Sequence, residues 1–450
     1  MKFSTLFIYI CTVQNFNIKD VNMQTSVTQF GWPYTMEDGL LVPETPMRRA
    51  GQQHAVGLTA PPMDEVRVAF VGLGLRGAKA AQRWMRMKAT RIIALCDNDL
   101  QRAEQCQSSL NDAGIATYGG PDGYKKLMQR ADIDLVYVAT DWQHHFAVAR
   151  EALQCGKHVA VEVPAALSLS EIWQLIDLAE QRRLHCTILE NCCYDDFELR
   201  TLRLARRGDL GEILRVAGGY LHDLSEKWGE YAKLNDKDKL GWRLDINRRF
   251  RGDLYASHGL GPVAQLLGIH RGDRIQTLVA MDTRPLCGPA VAQQMSGEAC
   301  GDFRNGDHTT TLMRTERGKM IEIQHNVMTP QPYSRVYQVM GSRGYACKYP
   351  TEMYVGIDEQ SVSAEVEAME KADEKMLKSC GLQSLSPREK MDYRMDMRLV
   401  ECLLHGWPLD MDVYDLAEWS SLAELGALSV DHHSAPVAFP DFTRGFCDIQ

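Results

Sequence analysis

The stretch over residues 66–77, VRVAFVGLGLRG, constrains the fold of this chain more than any other. Apolar and β-branched residues lead into three glycines spaced G-x-G-x-x-G, and the following AKAAQRWMRM has the pattern of a helix. A strand, a glycine turn and a helix in this order are typical of a dinucleotide site, where the helix N-terminus faces a pyrophosphate. The sequence therefore predicts a phosphate-binding loop formed by Gly72, Gly74, Leu75, Arg76 and Gly77.

A second strand, RIIALCD, ends at Asp97. An acidic residue about 20 positions beyond the glycine loop is placed to bind the adenosine ribose of a dinucleotide. Asn98 follows it rather than a basic residue, which favours NAD over NADP. The alternative is a glycine-rich turn that arises by chance.

The pattern from residue 66 alternates strands with helices, as in a parallel sheet covered on both faces. Beyond residue 194 it changes to strands separated by turns, at 275–281, 308–314, 320–327 and 337–341, which indicates an open, mostly antiparallel sheet. We predict an α/β protein: an N-terminal arm or signal region over 1–62, a Rossmann NAD-binding domain over 63–193, and an α+β substrate-binding domain over 194–450. A solvated, amphipathic helical region is predicted over 358–403, and an amphipathic helix over 412–429.

Polar residues follow three neighbouring strands of the predicted parallel sheet. Ligands collect at the carboxyl ends of such strands. The groups are Trp142, Gln143, His144 and His145, then Glu162 and Val163, then Glu190 and Asn191. Either histidine of the first group, taken alone, also fits a solvated residue at a helix start.

Charge and cysteine content exclude several functions. A net charge of −9 argues against nucleic acid as the main partner. No stretch approaches the ~20 apolar residues of a membrane span. The 13 cysteines are scattered, and the adjacent pair Cys192-Cys193 lacks C-x-x-C spacing, so no metal site is predicted. The start of the chain resembles a secretory signal without a small-residue cleavage site, so the compartment stays open, with the cytoplasm favoured over export.

The motif VAVEVP, which contains Glu162 and Val163, resembles a motif of a known family. A dinucleotide fold with this motif and an open-faced sheet resembles the glucose-fructose oxidoreductase and inositol dehydrogenase family. That family usually carries Glu-Lys-Pro, whose lysine assists hydride transfer, whereas this chain has Glu162-Val163-Pro164. Because the lysine is absent, the resemblance implies that net oxidation of a sugar is a less favoured function.

Further motifs resemble glycoside hydrolase family 109, typified by NAD-dependent α-N-acetylgalactosaminidases. They are LENCCYDDFEL, GGYLHDL, WRLD and LYASHGLGPVAQ, in that order. The family's Tyr-Pro-Thr-His is here Tyr255-Ala256-Ser257-His258, which keeps the tyrosine and the histidine but changes the loop between them.

The resemblance implies a redox-assisted elimination at a small-molecule or glycan substrate. Oxidation of the sugar C3 hydroxyl by NAD⁺ makes the C2 proton acidic, the glycosidic oxygen leaves, water adds, and the hydride returns to C3. His258 is the candidate for the residue that exchanges a proton with the C3 hydroxyl. Tyr194 or Tyr255 is the candidate for the C2 base or the leaving-group acid, and a tyrosine in either role needs a lowered pKa. The nicotinamide end is expected at Trp142, Gln143, His144, His145, Glu162, Val163 and Asn191. The sugar is expected at Tyr220, Arg243, Tyr255, Ala256, Ser257, His258 and Tyr333.

Two other functions remain as alternatives: a net NAD-dependent sugar or cyclitol dehydrogenase, and a non-catalytic dinucleotide sensor. By analogy with the wider family, the open sheet face also predicts a homodimer or homotetramer.

Overall fold

A computed structural model describes residues 26–224, 227–233, 240–299, 301–349, 354–357, 364–379, 382 and 384–447. The signal-like start of the chain lies outside these residues. Among the helices of the described ranges, none combines the length and apolar character needed to span a bilayer.

The strands, numbered in chain order, are β1 (Ser26–Val27), β2 (Pro33–Glu37), β3 (Leu40–Pro43), β4 (Val66–Val71), β5 (Thr90–Asp97), β6 (Ala116–Gly119), β7 (Leu135–Val138), β8 (His158–Val161), β9 (Cys186–Ile188), β10 (Ile213–Leu221), β11 (Ile275–Asp282), β12 (Thr309–Thr315), β13 (Met320–Asn326), β14 (Gln338–Gly341), β15 (Gly344–Cys347), β16 (Tyr354–Ile357) and β17 (Val437–Ala438). The helices are α1 (Leu75–Trp84), α2 (Leu100–Leu110), α3 (Gly123–Met128), α4 (Trp142–Gln154), α5 (Leu169–Arg182), α6 (Asp196–Arg206), α7 (Trp228–Lys233), α8 (Gly241–Arg249), α9 (Ser257–Leu267), α10 (Cys287–Ser296), α11 (Ala364–Ser379), α12 (Pro387–His405) and α13 (Val413–Asp431).

The first sheet is a parallel sheet in the order β6-β5-β4-β7-β8-β9. Its central strands are continuous apolar runs, because helices cover both faces. The strand order reverses between β4 and β7, which pair in parallel. This reversal is the crevice where dinucleotides bind in doubly wound folds. The predicted Rossmann architecture is confirmed.

The second sheet is mixed and mostly antiparallel, in the order β1-β2-β3-β17-β11-β12-β13-β10-β14-β15-β16. Its parallel pairs are β10 with β13 and β3 with β17. This arrangement confirms the predicted open, mostly antiparallel sheet. The N-terminal segment adds β1 to β3 at one edge, so in the described residues the arm extends the sheet of its own chain.

Helix α13 lies between the two sheets, and here the amphipathic prediction is wrong. Its residues from Val413 to Val430 are all buried, because α13 packs on α5 and β9 on one side and on β11 and α9 on the other. Its acidic residues are paired internally: Arg271 donates to Asp415 at 2.6 Å, and His270 lies 3.1 Å from Glu418. Buried carboxylates are tolerated only when they are paired in this way.

The prediction of a solvated helical region over 358–403 is also wrong for α12, although the helix itself is confirmed. Asp392, Arg394 and Asp396 of α12 are all buried. Arg83 of α1 donates to Asp396 at 2.6 Å. Helix α12 therefore packs against the glycine-loop helix through ion pairs.

Candidate active site

The glycine loop has the geometry that a dinucleotide requires. Gly72 has φ +90°, and a Cβ there would lie 2.5 Å from the backbone of Ala139 and Thr140. A Cβ at Gly77 would lie 1.8 Å from the Gly72 carbonyl oxygen, so strand and helix are packed as closely as glycine allows. At Gly74, by contrast, a Cβ would meet nothing within 4 Å. This open space at the N-terminus of α1 fits a pyrophosphate.

Asp97 ends β5 and holds the glycine loop. Its Oδ2 accepts a hydrogen bond from the Leu73 amide at 2.7 Å, and its Oδ1 lies 3.1 Å from the Arg102 guanidinium. The carboxylate is buried in this position. Its contact with an adenosine ribose stays a prediction.

The side chain of Arg76 does not extend to solvent from the glycine loop. Its Nε donates to Glu162 at 2.8 Å, and its two terminal nitrogens donate to Asp392 at 2.8 and 2.9 Å. Asn191 also donates to Asp392, at 2.7 Å. Burial would raise the pKa of Asp392, but the Arg76 guanidinium keeps it below its usual range. Two predicted cofactor residues, Arg76 and Asn191, thus meet at one carboxylate that the sequence interpretation missed, and Arg76 joins a third, Glu162, to them.

The strand-end group after β7 divides into different environments. His145 is buried, with Nδ1 2.7 Å from the Pro164 carbonyl oxygen and Nε2 3.0 Å from that of Thr140. Burial lowers its pKa, although the two carbonyl oxygens oppose this, and both ring nitrogens are engaged inside the protein. His144 and Gln143 are exposed near the N-cap Asp141. Their cofactor contacts stay predictions.

Trp142 connects the Rossmann domain to an aromatic cluster in the second domain. Its ring stacks on Tyr255 with centroids 5.3 Å apart. The Arg243 guanidinium lies over both rings, 5.1 Å from the Trp142 centroid and 4.7 Å from that of Tyr255. Val163 is buried, so this sheet edge has an apolar side chain where a lysine would bring an ammonium.

His258 lies in the first turn of α9 and pairs with Glu190, which follows β9. The Nδ1 atom is 2.7 and 2.8 Å from the two carboxylate oxygens. Glu190 is fully buried and also accepts a hydrogen bond from the Cys192 amide at 3.0 Å. The second domain thus brings a histidine to the carboxyl edge of the Rossmann sheet.

The pKa values of this pair move in opposite directions. Burial alone would lower the pKa of His258, but its interactions with Cys192 and with the Glu190 carboxylate raise it well above its usual 6.5. Burial would raise the pKa of Glu190, and the His258 charge keeps it below its usual range. The Glu190 carboxylate therefore stabilises the protonated form of His258 through Nδ1.

Several predicted sugar residues surround His258. The ring centroids of Tyr255 and Tyr220 lie 4.7 and 5.2 Å from that of His258. Tyr333 is partly exposed and its ring lies 6.5 Å from that of Tyr220, while Ala256 and Ser257 are buried beneath. The structure thus brings together His258, Tyr255, Tyr220, Arg243 and Tyr333.

The requirement for a tyrosine of lowered pKa is not met. Burial raises the pKa of Tyr255, although His258 and Arg243 oppose this. Burial and the Asp410 carboxylate raise the pKa of Tyr194, whose hydroxyl donates to Asp410 at 3.1 Å. Neither tyrosine has a lowered pKa in this structure, and the Tyr194 hydroxyl is engaged by an aspartate that pairs with Arg398.

Comparisons with known proteins agree with this geometry. The C-terminal domain of glycosyl hydrolase 109 matches residues 194–447, and the NAD-binding Rossmann fold of the oxidoreductase family matches residues 66–189. Glycosyl hydrolase family 109 protein 4 of Phocaeicola vulgatus is 53% identical over 442 residues, which cover 93% of this chain and 85% of that protein. Family 109 protein 1 of Bacteroides thetaiotaomicron is 50% identical over 426 residues, covering 89% and 90%.

A solved structure gives the same fold. It is an inositol dehydrogenase homologue from Azotobacter vinelandii complexed with NADH and myo-inositol, with a TM-score of 0.62 and 20% identity. The match covers 85% of this chain and all of that one, and at this identity it shows the fold alone. Taken with the family matches, these findings show that the chain carries an NAD-binding Rossmann domain and belongs to glycosyl hydrolase family 109.

Proposed function

We propose that this protein hydrolyses terminal α-N-acetylgalactosaminides by oxidation at C3, elimination across C1 and C2, addition of water and reduction at C3. The observation that carries the proposal is the His258–Glu190 pair, held beside Tyr255 at the carboxyl edge of the NAD-binding sheet. NAD, when bound, would supply the hydride acceptor and return the hydride within each turnover.

His258 is the proposed base for the C3 hydroxyl. When His258 is neutral, Glu190 holds the remaining ring proton on Nδ1 and leaves the lone pair on Nε2 for the substrate, as a carboxylate does for histidine in other hydrolases. The pair also stabilises the imidazolium that forms when the hydroxyl proton is taken. His258 can hold that proton until the C3 oxygen needs it again.

Tyr255 is the proposed acid for the departing glycosidic oxygen. Its raised pKa suits proton donation, and the Arg243 guanidinium over its ring favours the phenolate that remains. The C2 base is left unassigned, because neither tyrosine has the lowered pKa for that role. Tyr220 and Tyr333 are proposed to stack against the sugar.

The first test combines two readings in one cuvette. Hydrolysis of p-nitrophenyl α-N-acetylgalactosaminide is followed by nitrophenol release, and NADH by its near-ultraviolet absorbance. Release without accumulating NADH, lost in His258→Ala, supports the proposal. No release, with steady NADH formation from free sugars, would instead identify a net dehydrogenase. Cofactor binding with neither reaction would identify a sensor.

A homo-oligomer is also proposed. Met281, Leu312, Met320 and Met340 are exposed on neighbouring strands of the second sheet, and the strand registers place them on one face. The registers also place Arg215, Glu322 and Arg314 on this face, so the proposed interaction surface combines apolar and charged side chains. Sedimentation velocity of the intact chain would test it, and a monomer would refute it.

A further inference from the structure

Cys192 is a buried thiol that the proposed reaction does not use. It lies in the short 3₁₀ helix Asn191–Tyr194, which begins directly after Glu190. One ligand atom each of Glu190, Cys192 and His258 lies within 4.8 Å of the other two. The sequence did not reveal this group, because Cys192 and Cys193 have no metal-site spacing and the third member comes from α9.

The three groups form a donor set that suits one kind of ion. A thiolate, an imidazole and a carboxylate are the protein ligands that zinc prefers, and three of them with one open position are typical of accessible zinc sites. Ligand atoms around a tetrahedral zinc ion are about 3.5 Å apart, since the bonds are about 2.0–2.3 Å long. The upper limit of 4.8 Å is about 1 Å above this spacing, whereas His258 Nδ1 lies 2.7 Å from a Glu190 oxygen, which is below it. Side-chain adjustments of about 1 Å would therefore bring the three groups into coordination.

The surrounding charges do not oppose such an ion. Arg335 is close enough to Cys192 for a thiolate to raise the pKa of the guanidinium. It is neutralised by its own partners, however, since its Nη2 lies 2.7 Å from both Asp195 and Glu198. Cys192 therefore lies near a histidine, a carboxylate, and an arginine whose positive charge is balanced by two carboxylates.

We propose that Glu190, Cys192 and His258 form a binding site for a thiophilic divalent cation of the zinc type, and that the bound ion inhibits the enzyme. The ion takes the imidazole and the carboxylate that the proposed reaction needs for proton transfer. Coordination requires an unprotonated thiol and an imidazole nitrogen lone pair, so protons are released and binding tightens as pH rises. The binding itself does not depend on the proposed glycosidase reaction.

Metal binding is measured on the untagged full-length chain, without turnover. Zinc retention after dialysis gives the stoichiometry, and cobalt added in its place reports the ligands through its visible bands and its thiolate-to-cobalt band. The wild type is expected to bind one ion per chain with a thiolate signature. Cys192→Ala should weaken binding by roughly 100-fold, whereas the adjacent Cys193→Ala should leave it unchanged.

Cys192→Ser serves the same purpose if the alanine variant does not fold, because a serine hydroxyl is a poor zinc ligand. Failure of the wild type to retain zinc would overturn the proposal. So would equal binding by wild type and Cys192→Ala, since the ion would then lie elsewhere. A chain that binds zinc through Cys192 but releases no nitrophenol would refute the proposed function and leave the metal site standing.

Discussion

Replacing Glu190 with glutamine removes the charge beside His258 with almost no change in volume. The Cys192 amide donates to the Glu190 carboxylate at 3.0 Å. In Glu190→Gln the amide oxygen keeps that bond and stays beside His258 Nδ1, while an NH₂ group replaces the second carboxylate oxygen, which lies 2.8 Å from the same nitrogen. The Nδ1 proton therefore loses one of its two acceptors, and the imidazolium loses the negative charge that stabilises it. The base is held less firmly in the tautomer that proton abstraction needs.

The magnitude follows from the geometry of the pair. With the charge centres about 4 Å apart and an effective dielectric constant of about 20, the interaction is about 4 kcal/mol. At 1.36 kcal/mol per pKa unit, its loss lowers the pKa of His258 by at most about 3. In the wild type, kcat/KM should rise with pH through a His258 pKa above 6.5, because the base must be neutral.

The assay is the pH profile of nitrophenol release. In Glu190→Gln the rising limb should move to lower pH by about 2–3 units, while the plateau falls by about 10²–10⁴-fold. Glu424→Gln is the matched control, because Glu424 of α13 is also buried but accepts from the Leu169 amide of α5 instead. An unmoved limb in Glu190→Gln would refute the reasoning, as would an equal loss of rate in Glu424→Gln.

Four further substitutions test other parts of the site. Gly77→Ala should prevent folding or NAD binding, because its Cβ would meet a backbone oxygen at 1.8 Å. Gly74→Ala should fold with an unchanged melting temperature but bind NAD more weakly, since no protein atom lies within 4 Å of the added Cβ. Titration of NAD by calorimetry distinguishes the two, and equal NAD affinity in Gly74→Ala and wild type would contradict the loop assignment. Asp392→Asn should lower the free energy of unfolding by about 3–5 kcal/mol, because Arg76 loses a buried partner, and urea unfolding would detect this. A decrease below about 1 kcal/mol would mean that the Arg76–Asp392 pair contributes little to stability. Tyr255→Phe should lower kcat by about 10²-fold with little change in KM, which initial rates with a poor leaving group would measure; an unchanged kcat would exclude Tyr255 as the acid.

Much of the fold follows from local patterns. The apolar runs, the glycine spacing and the turns predicted both sheets, because strand period and turn chemistry are local properties of the chain. The environments of α12 and α13 were mispredicted because their acidic residues looked solvated. Asp392 and Glu418 are instead buried against Arg76 and His270, and those partners are distant in sequence.

The site could be predicted only in part for the same reason. The resemblance identified His258 and Tyr255, and the structure brings them together. Glu190 was recognised only as a strand-end residue, since nothing local shows that a histidine on α9 will reach it. The burial of His145 could not be predicted from the sequence either, because its ring nitrogens contact backbone carbonyl oxygens, which every residue carries.

The most direct measurement of the proposed chemistry is hydrolysis in D₂O with analysis of the released sugar by mass spectrometry and proton NMR. Elimination across C1 and C2 requires that the C2 proton be exchanged with solvent. We expect one deuterium bound to C2 of the released N-acetylgalactosamine and none at C3. Release of the sugar with its original C2 proton would show that the bond is cleaved without elimination, and would refute the proposed reaction.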